Sequence, residues 1–93
     1  MILTPTEMER MTIFVAGEMA RRRKEKGLKL NHPEAQAYIV DALLEGAREG
    51  RIVSDLVGWG ATLLTTDDVM VGVRRLMPMI QVEGMFPDGT KLV

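Results

Sequence analysis

Ile80-Gln81-Val82-Glu83-Gly84-Met85-Phe86-Pro87-Asp88-Gly89-Thr90-Lys91-Leu92-Val93 reads as a β-hairpin. Its first arm sets Ile80, Val82 and Phe86 against Gln81, Glu83 and Met85, and alternation with period two marks a half-buried strand. Pro87-Asp88-Gly89-Thr90 supplies the turn, with φ preset by proline and a positive φ open to glycine. A two-stranded ribbon is marginal alone in water, so it is expected to lie on helices of its own chain or to meet another chain.

The residues before it carry helix signals. Thr4-Pro5-Thr6-Glu7 combines a cap hydroxyl, a proline at the first helical position and a carboxylate three residues past the cap. Met8, Met11, Val15 and Met19 then recur at three- and four-residue steps beside Phe14, and Gly27 offers the stop. A helix over 5–26 would be about 33 Å long. Asn31-His32-Pro33-Glu34 repeats the start signal before an apolar stripe of Ala35, Tyr38, Ile39, Ala42, Leu43 and Ala47, ending at Gly50. The small Ala35, Ala42, Gly46 and Ala47 permit close helix approach and make this the expected central helix. A third helix is expected from about Ile52 to Leu64, irregular near Gly58 and Gly60, since glycine costs up to ~1 kcal/mol in a helix interior. A fourth is expected to be capped by Thr65 or Thr66, with Asp67 and Asp68 at its positive end, Val69, Met70 and Val73 inward, and Pro78 closing it. The sum is an α+β fold: three to four packed helices followed by a C-terminal antiparallel β-hairpin, in one domain over 1–93.

Composition narrows the function classes. With 46% hydrophobic but only 4% aromatic residues, the core must come from aliphatic side chains and the eight methionines. Methionine fills irregular core gaps, the default reading here, and it also suits adaptable partner surfaces. A formal net charge of −1 gives no global pull toward nucleic acid or acidic membranes. No cysteine means no disulfide, no thiolate nucleophile and no cysteine metal site. No apolar run nears the ~20 residues that span a bilayer, so a soluble, cytoplasmic chain is expected.

Reactive groups are sparse. His32 is the single histidine and reads as a surface residue at a helix start. Asp67-Asp68 are neighbours on a helix that would point apart, which suits helix-start acids better than a carboxylate site. Ser54 and Thr65-Thr66 have no histidine to activate a hydroxyl. Gly84 and Gly89 lack the strand-to-helix turn and lysine of a phosphate loop. The basic run Arg21-Arg22-Arg23-Lys24-Glu25-Lys26 reads first as compensation of the exposed carbonyls at a helix end, then as a protein contact, and last as a phosphate-binding patch. Trp59 reads as a core or interface anchor.

Leu3-Thr4-Pro5, Gly27-Leu28-Lys29-Leu30-Asn31-His32-Pro33-Glu34-Ala35, Leu44-Glu45-Gly46-Ala47-Arg48-Glu49-Gly50 and Ile80 to Val93 together resemble the gamma subunit of bacterial urease, over essentially the whole chain. There are departures. His32 stands where the family commonly has Tyr, Val71-Gly72-Val73-Arg74-Arg75 replaces a stretch that is usually Glu-Gly-Val-Pro-Glu, and the family's chains commonly run further, through a Val-His-x-Pro-Ile-like tail. The resemblance implies a non-catalytic structural subunit of a nickel enzyme that hydrolyses urea to ammonia and carbamate. It places two nickel ions on the large alpha subunit, held by histidines, a carbamylated lysine and an aspartate, and none in this chain. Alpha and beta subunits are the implied partners, in a trimer of three-subunit units. No catalytic, cofactor-binding or metal residue is therefore carried over. The expected contact residues are Trp59, Met79, Met85, Phe86 and Leu92, with Arg21, Arg22 and Arg23 as rim charges. The alternatives are a freestanding adaptor or regulatory domain and, behind it, a small nucleic-acid binder; an independent hydrolase is weakest, having no nucleophile, base or metal ligand to name.

Overall fold

A computed structural model describes residues 2–77 in full and the backbone of 83–86 and 89–92. Helix α1 spans Pro5–Glu25. Its start is closed reciprocally: the Thr4 amide donates to Glu7 Oε1 at 2.9 Å, and the Glu7 amide donates to Thr4 Oγ1 at 3.2 Å. Helix α2, His32–Arg48, begins the same way, with Asn31 and Glu34 exchanging bonds of 2.9 and 3.0 Å. Both helices also end alike. Gly27 and Gly50 take φ of +80° and +93°, so the Leu28 amide turns back to Arg23 O at 3.0 Å and the Arg51 amide to Gly46 O at 3.1 Å.

Helix α3 is shorter than expected. It covers Val53–Gly60, after which Thr62 closes a turn by donating its amide and hydroxyl to Trp59 O at 2.9 and 2.6 Å. The fourth helix is also corrected. Thr65 and Thr66 cap nothing; Asp68 Oδ2 instead accepts from the Thr65 amide at 2.8 Å, folding 65–68 into a turn. The chain then extends. Leu30 and Val69 form a parallel bridge, in which the Leu30 amide donates to Asp68 O and the Met70 amide to Leu30 O, both at 2.9 Å. Helix α4 starts only at Val73 and ends at Leu76, behind Gly72 at φ +86°.

Two hydrophobic clusters hold this body. Ala20, Leu30, Ala35, Val69 and Val73 form one, joining the end of α1, the start of α2 and the extended segment before α4. Leu43, Ala47 and Leu56 form the other, between α2 and α3, with Trp59 packed at its edge.

The expected α+β class is overturned, because the fully described body is helical. Beyond it, Glu83–Phe86 and Gly89–Leu92 pair antiparallel, Glu83 opposite Leu92, as a two-stranded ribbon among the described residues. Two short strands are marginal as a layer of their own, and the packed helices carry the fold. The rest of the expected hairpin, 80–82 with Pro87, Asp88 and Val93, lies outside the described residues, as does Pro78.

Candidate interaction surface

Helices α1 and α2 meet through small residues. Gly17 and Ala20 are buried on α1, and a Cβ built at Gly17 would stand 2.8 Å from Asp41 Cβ and 3.1 Å from Ala37 O. Beside this contact Asp41 is 5% exposed, the one buried charge among the described residues. It is neutralised from α1: Arg10 Nη1 donates to Asp41 Oδ1 at 2.7 Å, and Arg21 Nη2 reaches Asp41 Oδ2 at 3.4 Å. Arg10 also donates to Glu45 at 3.1 Å, and Arg21 grips Glu18 through two bonds of 2.9 and 2.7 Å.

Sequence reasoning missed this network. The available signals were a charge set inside the apolar stripe of α2, and two arginines flanking a glycine along one face of α1.

The basic run is largely occupied within the chain. Arg21 serves Glu18 and Asp41, Arg23 is bonded to Glu34, and Lys24 stands 4.0 Å from Asp68. Arg22 is the looser member, 3.4 Å from Glu18 with its side chain 74% exposed. Trp59 is half-buried on the Leu43 cluster, and the Arg51 guanidinium sits 4.3 Å from its ring centroid. Met79 lies outside the described residues, and for Met85, Phe86 and Leu92 the backbone alone is described. The sequence-selected positions thus divide between internally paired arginines, a half-buried indole and the C-terminal segment.

Several carboxylates are held below their ordinary pKa. Glu34 falls below 4.5 because its carboxylate accepts the Asn31 amide and, next, Arg23; Asp68 falls below 3.8 mainly through the Thr65 amide; Glu18 is lowered chiefly by its hydrogen bond from Arg21. Such groups bind protons more readily in the unfolded chain. Their stabilisation is complete above the ordinary values and is lost as pH falls through the lower folded ones. We expect the urea midpoint to be flat near neutrality and to drop as pH falls below about 4.5, with a shallower drop in Glu34→Gln.

The outer side of α1 is apolar. Met8, Met11, Phe14, Val15 and Met19 are all about half exposed or more, reaching 62% at Val15. The stripe that marks the helix therefore faces away from α2, and core filling is not the role of these methionines within this chain. A second exposed group, Met70, Val71 and Leu76, brackets the basic Arg74-Arg75.

The family model for the urease gamma subunit matches residues 1–93. The chain belongs to the urease gamma subunit family. Two curated relatives, both named urease subunit gamma/beta, from Pseudomonas syringae pv. syringae and Pseudomonas syringae pv. tomato, are each 63% identical over all 93 residues. The chain covers 40% of the length of these relatives. Among the described residues of this gamma-family chain, no three His, Cys, Asp or Glu side chains are grouped so as to hold a metal ion. His32 stands alone at the start of α2. These residues do not fit a two-nickel centre, and no chemical step is assigned to them. No helix in the described part is long and apolar enough to cross a membrane.

Proposed function

We propose that this chain is a non-catalytic structural subunit of a cytoplasmic, nickel-dependent urease, binding an alpha-type catalytic subunit and a beta-type subunit in a trimer of three-subunit units. The observation that carries the reading is the inversion of apolar surface. Among the described residues twelve large hydrophobic side chains are exposed, whereas only Leu30 and Leu56 of the larger ones are fully enclosed. Scattered exposed aliphatics are ordinary, but a continuous face on one helix indicates a surface made to be covered. Family membership supports other urease subunits as what covers it. The names of the two relatives join gamma and beta, which supports a beta-type neighbour.

In this role the chain contributes to urea hydrolysis only by holding the catalytic subunit in its assembly, because binding to a folded partner stabilises that partner by mass action. Hetero-contacts are assigned to the exposed Met70, Val71 and Leu76, to the following Met79, Met85, Phe86 and Leu92, and to Trp59, with Arg21 to Arg23 at the rim. The test is co-expression with and without alpha and beta urease subunits carried on separate chains, followed by affinity purification and a urea-hydrolysis assay. Co-purification, with urea hydrolysis from the complex and none from the chain alone, is expected. Activity from the isolated chain, or a complex that forms equally well without it and is fully active, would overturn the reading.

A further inference from the structure

Methionine supplies most of the exposed stripe on α1. Met8, Met11 and Met19 are 58%, 53% and 48% exposed. At about 100° per residue they share an arc of about 80°, opposite Gly17, along about 16 Å of helix. In a chain without cysteine no thiolate competes for an oxidant, so thioethers are its readily oxidised groups. The other described methionines give a contrast in access: Met70 is 48% exposed, whereas Met77 is partly buried against the Ala20 cluster.

We propose that Met8, Met11 and Met19 form a peroxide-reactive modification site whose oxidation keeps an unassembled chain out of the urease complex. In each event the O–O bond of hydrogen peroxide breaks and one oxygen passes to sulfur, which gives up two electrons and becomes a sulfoxide. The proton on the transferred oxygen leaves with the departing hydroxide as water. A flexible apolar side chain is thereby converted into a polar one with a strong hydrogen-bond acceptor, and covering that acceptor without a donor is unfavourable. None of the three residues belongs to either core cluster, so oxidation changes the face while leaving the packing of α1 on α2 intact. Assembly closes the site, because a partner seated on the stripe shields the sulfurs from the oxidant. The inference rests on the reading that urease subunits cover the exposed apolar surface, and it sets a chemical condition on when they can do so.

The test treats the free chain with dilute hydrogen peroxide and locates the added oxygen by mass spectrometry of its peptides. Met8, Met11 and Met19 are expected to react about tenfold faster than Met77, with circular dichroism unchanged. Treated and untreated chains are then offered to alpha and beta urease subunits carried on separate chains. Oxidation is expected to weaken the association at least about tenfold. A variant combining Met8→Leu, Met11→Leu and Met19→Leu keeps volume and apolarity and is expected to lose most of that sensitivity. In the assembled complex the same three sulfurs should react at least about tenfold more slowly than in the free chain. Equal rates at Met19 and Met77, equal rates in the free and assembled chain, or a leucine variant as sensitive to peroxide as the unmodified chain would each overturn the proposal. An untreated chain that joins no urease subunit would instead overturn the structural-subunit reading and with it the assembly step, while the contrast between Met19 and Met77 stands or falls in the free chain alone.

Discussion

Gly17→Ala is expected to destabilise the chain by about 2–3 kcal/mol, although alanine is the better helix former by up to ~1 kcal/mol. The added methyl has no soft neighbour. It would meet Asp41 Cβ at 2.8 Å, Ala37 O at 3.1 Å and Asp41 Cγ at 3.2 Å, and the first two are fixed by the backbone of α2. Relief requires α1 to move outward, which also lengthens the Arg10 and Arg21 contacts to Asp41. For a domain of this size the thermal midpoint should fall by roughly 10 °C or more. Gly46→Ala provides the contrast. Its methyl would face Leu56 Cδ2 at 2.5 Å, the far end of a flexible side chain, so a smaller loss is expected even though the approach is closer. Thermal unfolding of the two variants side by side checks this; an unchanged midpoint in Gly17→Ala would show that α1 is not seated on α2 as described.

Asp41→Ala is expected to cost about 2–3 kcal/mol, measured by urea unfolding. Removing one member of a buried ion pair strands the other charge, and losses of ~3–5 kcal/mol follow when the survivor is fully enclosed. Here Arg10 and Arg21 keep side-chain exposures of 30% and 33%, so water recovers part of the loss. Arg22→Ala, by comparison, removes an exposed 3.4 Å contact and should change stability by less than ~0.5 kcal/mol. Asp41→Asn should fall between the two, because it keeps the shape while dropping the charge. If Asp41→Ala proved no worse than Arg22→Ala, the buried carboxylate would have no part in joining the helices.

The parts of this structure that sequence reasoning reached are those decided within a few residues. Thr4 with Glu7 and Asn31 with Glu34 close their helix starts through side chains three positions apart, and Gly27 and Gly50 end both helices through their own φ. The misreadings arise where a distant segment competes. Asp68 was expected to serve a helix start, yet its carboxylate bonds Thr65 while its backbone carbonyl accepts from Leu30, which keeps 68–70 extended and delays α4 to Val73. Periodicity located the stripe of α1 but could not give its direction, because the inward face is built from glycine, alanine and paired arginines that carry no hydrophobic signal. The Arg10 to Asp41 pair spans 31 positions and leaves no local trace. The expected contact residues show the same division: Trp59 was recognisable as an anchor by its size, whereas the internal engagement of Arg21 and Arg23 depends on α2.

The bridge between Leu30 and Val69 also sets a path for mechanical load. Tension drawn through the residues after Met70 reaches the corner between α1 and α2 directly, through two backbone hydrogen bonds, and bypasses α3. Whatever is coupled to that trailing segment is thereby anchored where Ala20, Leu30, Ala35, Val69 and Val73 pack together, while α3 with Trp59 stands outside that path.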